Sequence, residues 1–403
     1  MKYFCPMPFI NIEARTDSKC NICCQIDDTI KKPDGTEYNL NHETLTEVWN
    51  SEWIKNLRQQ FINGEKPEFC YSCWNAEDAG VVSKRKRELK NFPHIQRNIE
   101  KGKVYEKPLA MDVKLGNICN NKCRTCSSYA SSAWIAEEKV RDGDSNNKWK
   151  FMRKLGRWPE DNPTFWEDFN HISTNVKKME FYGGEPLLIK EHYGVLRKLI
   201  ETGKSKDIEL SYNTNGSIWP SEGLELWKHF KRIMLSFSID GVGEHFNYIR
   251  HPAKFDEVKG HILKLKNLNY DNIYIDICYT VSIYNIFYLD EILEFGKEIG
   301  VDVYFNYVYT PYHVSSRNLP QDIKDKIKNK FDGFANRHPN HTGVNQVATT
   351  INYMEDGTFD KKNFKQFITE TKFSDDYRGE SFSKTFPEYY ELFLESEEFD
   401  DEL

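Results

Sequence analysis

The chain has 403 residues, 39% of them hydrophobic and 14% aromatic, which is enough for a packed core and for roughly two to three domains. Its formal net charge of −7 gives no bulk electrostatic reason to bind nucleic acid. No apolar run approaches the ~18 residues of a membrane span, and the N-terminus lacks a signal-peptide core, so a cytoplasmic protein without a membrane partner is expected.

Residues 1–80 read as a separate cysteine-containing unit. They carry Phe4-Cys5-Pro6, then Cys20-Asn21-Ile22-Cys23-Cys24, then Cys70-Tyr71-Ser72-Cys73-Trp74. In a large chain without an export signal, such clustering favours metal or cluster ligation over disulfides. Four thiolates from three segments suit either zinc or an iron–sulfur cluster. Between them, Thr44 and Glu47 form a capping box ahead of the apolar Leu45, Val48 and Trp49, and Trp53, Leu57 and Phe61 continue an apolar stripe. The basic run Lys84-Arg85-Lys86-Arg87 is expected on a solvated linker helix within residues 81–105.

From residue 106 to 315, β-type runs at 109–115, 178–182, 208–213, 232–239, 273–281 and 301–308 alternate with helical patterns around 190–203, 222–230, 253–268 and 285–299. That alternation predicts a parallel sheet with right-handed crossovers. Ile233, Leu235, Phe237 and Ile239 form one face of their strand, while Met234, Ser236, Ser238 and Asp240 form the other. Apolar outside and polar inside suits a sheet curved around a polar cavity. The expected class is therefore α/β, with six β/α units in a partial barrel, (β/α)6, and a small N-terminal cysteine-rich module. Residues 316–403 form a C-terminal extension with no chemistry attached, and its acidic end, Glu395 to Glu402, is expected to be frayed. Cys278, in an apolar run, reads as a small buried residue.

Ligands of such folds bind at the C-terminal ends of the strands. The first strand is followed by Cys119-x3-Cys123-x2-Cys126, three thiolates from one loop with no fourth cysteine nearby. A cubane cluster held by three cysteines keeps one iron open, whereas structural zinc closes its shell with four ligands. The second strand leads into Tyr182-Gly183-Gly184-Glu185-Pro186, the third into Asn213-Thr214-Asn215-Gly216, and the fourth ends Ser236-Phe237-Ser238-Ile239-Asp240-Gly241. Each alone reads as an ordinary turn. Four in order, each after a predicted strand, point to a site.

These segments resemble the core of the radical S-adenosylmethionine (radical SAM) enzymes. The resemblance implies that Cys119, Cys123 and Cys126 hold a [4Fe-4S] cluster that does the catalysis, and that backbone atoms of Gly183, Gly184 and Glu185 meet the ammonium group of S-adenosylmethionine. It implies further that Asn213, Asn215 and Ser238 lie near the ribose or carboxylate, and that Arg250 pairs with the methionine carboxylate, for which a guanidinium fork is suited. One departure is Thr125, where many members have an aromatic residue; Tyr182, Tyr307 and Tyr309 are substitutes by position. The N-terminal cysteines, with Val48-Trp49-Asn50-Ser51, resemble twitch or SPASM modules that carry an auxiliary [4Fe-4S] cluster. Cys5, Cys23, Cys70 and Cys73 are its expected ligands; Cys24 is the alternative to Cys23, because neighbouring side chains on a strand point to opposite faces, and zinc is the competing metal.

The implied activity is reductive cleavage of S-adenosylmethionine to a 5′-deoxyadenosyl radical that abstracts hydrogen from a substrate. That substrate is a peptide or protein side chain, or a small molecule, and a flavodoxin or ferredoxin is the implied reductant. The rival reading is a non-catalytic zinc- or iron–sulfur-binding interaction protein, which leaves the ordered strand-end motifs and Arg250 without a purpose.

Overall fold

The structure is a computed structural model and describes residues 1–26, 28–78, 82–144, 146–334 and 343–399. Eight strands, β1 (Asn11–Ala14), β2 (Cys20–Asn21), β3 (Ala110–Val113), β4 (Lys178–Phe181), β5 (Glu209–Thr214), β6 (Arg232–Ser238), β7 (Ile273–Val281) and β8 (Asp302–Tyr307), occur in the sheet order β2-β1-β3-β4-β5-β6-β7-β8. Strands β3 to β8 are the six runs expected from the sequence, and the helices Lys190–Glu201, Ser221–Trp227, Phe255–Asn267 and Leu289–Ile299 fall where the 3.6-residue period placed them. Strand β1 was not anticipated. It pairs in parallel with β3, Asn11 opposite Ala110 and Ala14 opposite Val113, and its Asn-Ile-Glu-Ala run holds one large apolar residue, too little for a β-type run to stand out.

Two compact units divide the chain. The first comprises residues 1–118, 150–212 and 220–234, and the second residues 119–149, 213–219 and 235–403. This division cuts across the sequence boundaries at 80, 105 and 315.

In the first unit, parallel register aligns Ile12, Met111, Met179 and Leu210 on one face, all of them buried. The next row on that face includes Phe181 and Tyr212, stacked with centroids 5.2 Å apart, and helix Lys190–Glu201 covers them with His192, Val195, Leu196 and Leu199. The opposite face carries Glu13, Asp112, Glu180 and Ser211 in register. The expected capping box is present, with the Thr44 hydroxyl accepting from Glu47 N–H and the Glu47 carboxylate accepting from Thr44 N–H. The basic run departs from expectation. Lys84 and Arg85 are buried in helix Lys84–Asn91, where Arg85 donates to Phe4 O at 2.8 Å and pairs with Glu77 at 2.5 Å. Sequence shows the charge of such residues, but not that Lys84 meets Glu180 of a distant strand while Arg85 meets Glu77 eight residues before it.

His192 is a core histidine bonded through one ring nitrogen, its buried Nδ1 having no partner among the described residues. Its Nε2 lies 2.9 Å from Tyr212 Oη, which also accepts from Trp227 Nε1 at 3.1 Å. Burial lowers its pKa to about 3. The unfolded chain, with histidine near its ordinary ~6.5, therefore binds the extra proton first as pH falls, and stability declines below about pH 6.5. His192→Gln is expected to flatten that slope between pH 6 and 4 in urea-melt series, even though the packing change lowers stability at neutral pH.

The second unit holds β7 and β8, paired from Asp276–Asp302 to Val281–Tyr307, with Tyr279 and Phe305 in contact. Helix Leu289–Ile299 closes on Gly300 in the left-handed region. The C-terminal extension packs here through Phe364, Phe367, Phe382, Tyr389 and Phe393. The acidic end is ordered up to Phe399, which meets Phe393 and Tyr390; the expected fraying beyond residue 399 lies outside the described residues.

Candidate active site

The cysteine loop follows β3 and is fixed from below by backbone bonds, Lys122 N–H to His251 O at 2.6 Å and Arg124 N–H to Ile249 O at 2.8 Å. The Cys123 and Cys126 thiols lie within hydrogen-bond reach of each other, and Cys119 is near enough for its charge to be felt at Cys126. Cys126 N–H donates to Cys123 O at 2.9 Å, and a hydrogen bond between the two thiols, ahead of burial, pushes Cys123 up and Cys126 down. Cys119 adds to the field at Cys126. Its sulfur accepts from Asn121 N–H at 3.5 Å and from Asn215 Nδ2 at 3.8 Å. Such donors stabilise sulfur charge and tune the potential of a bound cluster.

Arg124, between Cys123 and the departing Thr125, is the loop's buried anchor. Its guanidinium pairs with Asp375 at 2.5 Å and Glu380 at 2.6 Å, and lies 3.9 Å from the Tyr248 ring centroid. Tyr248 Oη donates to Asp375 at 2.7 Å, and His251 Nδ1 is 2.6 Å from Glu380. Lys122 pairs with Glu137 at 2.9 Å, and Arg378 closes on the same carboxylate at 3.0 Å. The segment Asp375-Asp376-Tyr377-Arg378-Gly379, left without a role by the sequence, thus clamps the cysteine loop. No signal in sequence alone pairs Arg124 with residues 251 and 256 positions away.

Arg250 stands beside Cys123 and Cys126, and its positive charge lowers both thiols. Its Nε and Nη2 donate to Asp240 Oδ2 at 2.7 and 2.6 Å, while Asp240 Oδ1 accepts from Thr280 N–H at 2.8 Å. Asp240, fully buried, is the orienting partner that sequence reasoning missed; it sits in the Ser-Ile-Asp-Gly strand end as the only acid there. Asn215 ties the third strand end to the loop, donating to Asn120 Oδ1 at 2.9 Å and accepting from Ser217 N–H and Oγ. Asn213 lies within β5, and Ser238 is the last residue of β6.

Gly183, Gly184 and Glu185 belong to the first unit. Gly184 has φ +59°, and a Cβ there would meet Ile118 O at 2.5 Å, so only glycine fits. Glu185 N–H donates to Ile118 O at 2.7 Å, and its buried side chain accepts from Leu187 N–H at 3.2 Å, capping the short helix Pro186–Leu188. Of the tyrosines named in place of an aromatic at position 125, Tyr307 and Tyr309 pack on Tyr353, whereas Tyr182 lies in the field of Glu180, Lys84 and Asp112.

A second group of thiols lies in the first unit. Cys5, Cys23, Cys70 and Cys73 line one cavity, together with Lys84 and Arg85. Cys70 and Cys73 take one helical face at i, i+3, at the junction of Glu68–Cys70 with Tyr71–Asp78. Burial raises Cys5 well above the ordinary thiol value, and burial followed by Cys73 pushes Cys70 up to about 12. Cys24 is exposed, does not line the cavity, and accepts from Lys84 Nζ at 3.3 Å. Among the described residues, no three His, Cys, Asp or Glu side chains converge closely enough for one metal ion. Nor is any helix among them long and apolar enough to cross a membrane.

Comparison with known proteins adds an independent finding. Residues 113–296 match the model of the radical SAM superfamily. The sporulation killing factor maturation protein SkfB of Bacillus subtilis is 24% identical over 198 residues, covering 49% of this chain and 42% of SkfB. The radical SAM cyclopropyl synthase TigE of Paramaledivibacter caminithermalis is 24% identical over 325 residues, covering 77% of this chain and 62% of TigE. The chain thus spans between two fifths and two thirds of the length of these relatives. Among solved structures, Streptococcus suis SuiB bound to S-adenosylmethionine matches at 14% identity and a TM-score of 0.36, covering 77% of this chain and 67% of SuiB.

Proposed function

We propose, from a chain whose residues 113–296 match the radical SAM superfamily, that this protein reductively cleaves S-adenosylmethionine and abstracts hydrogen from a peptide or protein side chain. The observation that carries this reading is the gathering of Cys119, Cys123 and Cys126 in one loop, with Arg250 beside two of them. Three thiols fit a four-iron cluster with one iron open. When bound, that cluster and S-adenosylmethionine supply the 5′-deoxyadenosyl radical, the hard chemistry that no side chain can provide.

The chain's own residues bind and orient. Asn121 and Asn215 donate toward the Cys119 sulfur and hold its negative charge. Asp240 aims Arg250, which offers its remaining donors to the carboxylate of S-adenosylmethionine. By the resemblance, backbone atoms of Gly183, Gly184 and Glu185 would meet the ammonium group, and Asn213, Asn215 and Ser238 would approach the ribose. Cys5, Cys23, Cys70 and Cys73 would hold an auxiliary [4Fe-4S] cluster, with Lys84 and Arg85 offsetting thiolate charge at the cavity wall. A peptide substrate is supported by the relation to SkfB, a maturation protein. A flavodoxin or ferredoxin would supply the electron, and a cytoplasmic location fits this need for a reductant.

The test is anaerobic reconstitution, iron and sulfide analysis, and assay of 5′-deoxyadenosine after S-adenosylmethionine and dithionite are added. The expected result is about eight irons per chain, two four-iron clusters, with deoxyadenosine formed. Zinc with no deoxyadenosine would overturn it in favour of a binding protein. Cys70→Ala is expected to lower iron to about four per chain while S-adenosylmethionine cleavage continues uncoupled from substrate. Full iron retention in that variant would remove the auxiliary site and leave the core.

A further inference from the structure

We infer that Glu13 and Asp112, on the polar face of the sheet, form a binding site for a cationic nitrogen group, an ammonium or guanidinium, carried by the substrate. The inference rests on the proposed function for calling the occupant a substrate, but the site itself stands on geometry.

Parallel register sets Glu13 beside Asp112 and Asp112 beside Glu180, on strands spaced about 4.8 Å apart. All three are buried, Asp112 at 0% exposure and Glu13 at 1%. The outer two are answered. Lys114 Nζ takes Glu13 Oε1, Lys178 Nζ takes Glu180 Oε1 at 2.7 Å, and Lys84 Nζ stands 3.6 Å from Glu180 Oε2. Asp112 is not. Among the described residues no donor reaches either of its carboxyl oxygens, nor Glu13 Oε2.

Three buried acceptor oxygens on adjacent strands, without a donor, are costly to a fold that needs only stability. The other face of the same strand shows what such a fold uses, Met111 and Val113. What the site lacks is several N–H donors at once. A guanidinium carries five and an ammonium three, whereas a hydroxyl carries one and a carboxylate none. An anion would meet the carboxyl groups of Glu13, Asp112 and Glu180, with Lys84, Lys114 and Lys178 already engaged. The groups facing Asp112 are Glu13 from β1, Glu180 from β4, Lys114 beyond β3 and Lys84 from helix Lys84–Asn91, and Tyr182 feels the same field. Burial, then Glu13, raises the Asp112 carboxyl, while Lys114 and Lys84 oppose the rise.

The probes are n-butylguanidinium, n-butylammonium and butyrate, titrated calorimetrically into the full-length reconstituted protein. The expected result is saturable binding of at least one cation, tighter than butyrate. Asp112→Asn should weaken cation binding at least tenfold. Asp112→Leu should abolish it while raising the melting temperature, because an unanswered carboxyl is gone. Butyrate binding as tight as the cations, no cation binding, or Asp112→Asn binding within twofold of wild type would overturn the inference. A wild-type protein that binds the cation but forms no deoxyadenosine sinks the radical reading and keeps the site; the converse keeps the reading and sinks the site.

Discussion

Cys123→Ala is expected to abolish 5′-deoxyadenosine formation and to strip iron from the core site. Cys123 is the buried member of the triplet, 6% exposed, and shares a hydrogen bond with Cys126. Without it only Cys119 and Cys126 remain, and two thiolates from one loop cannot hold a cubane that normally takes four. The loop itself should survive, because its anchors are backbone bonds to Ile249 and His251 and the charge clamp at Arg124. Iron analysis and chromatography of the S-adenosylmethionine products measure the effect. Cys20→Ala is the control: Cys20 is fully buried in β2 and lies outside both thiol groups, so it should keep its iron and its activity. Retained deoxyadenosine formation in Cys123→Ala would overturn the open-iron assignment.

Arg124→Ala is expected to cost about 3–5 kcal/mol of stability, the range for breaking a buried charge pair by removing one partner. The Arg124 side chain is 1% exposed, and Asp375 and Glu380 are 12% and 19% exposed. Removing the guanidinium leaves two carboxylates near each other with one cation gone. Tyr248, Phe382 N–H and His251 still serve them, which favours the lower end of the range. Urea unfolding should show the loss, and the cysteine loop should retain less iron at equal protein. A double variant with Asp375→Asn should cost less than the sum of the two singles, because the pair acts as one unit. A change within 0.5 kcal/mol of wild type would mean that the clamp does not hold the loop.

Much of this molecule was legible before any coordinate. Short β-type runs marked β3 to β8, with alternation of period two in β5 and β6, and Gly183-Gly184 and Asn-Gly marked the strand ends. The three-thiol loop, with the ordered strand-end motifs, carried the resemblance to the radical SAM core that implied the chemistry. The motif also carried the expectation that Arg250 serves a carboxylate, though not that Asp240 already holds it. The short strand β1 was not legible, since Asn-Ile-Glu-Ala holds one large apolar residue between polar ones, and neither was the burial of Lys84 and Arg85.

Spacing in the sequence set which elements form and which residue types gather at the strand ends, because it sets side-chain direction on a strand or helix and restricts which ligands one loop can offer. Tertiary structure alone decided the pairings over long separation. It turned Cys23 toward the cavity with Cys5, Cys70 and Cys73 and left Cys24 against Lys84. It brought Asp375 and Glu380 onto Arg124, and it set Glu13 beside Asp112 with no donor between them. The reason is physical: a charge buried far from its partner in sequence is satisfied only when packing brings the two together, and no local pattern records that meeting.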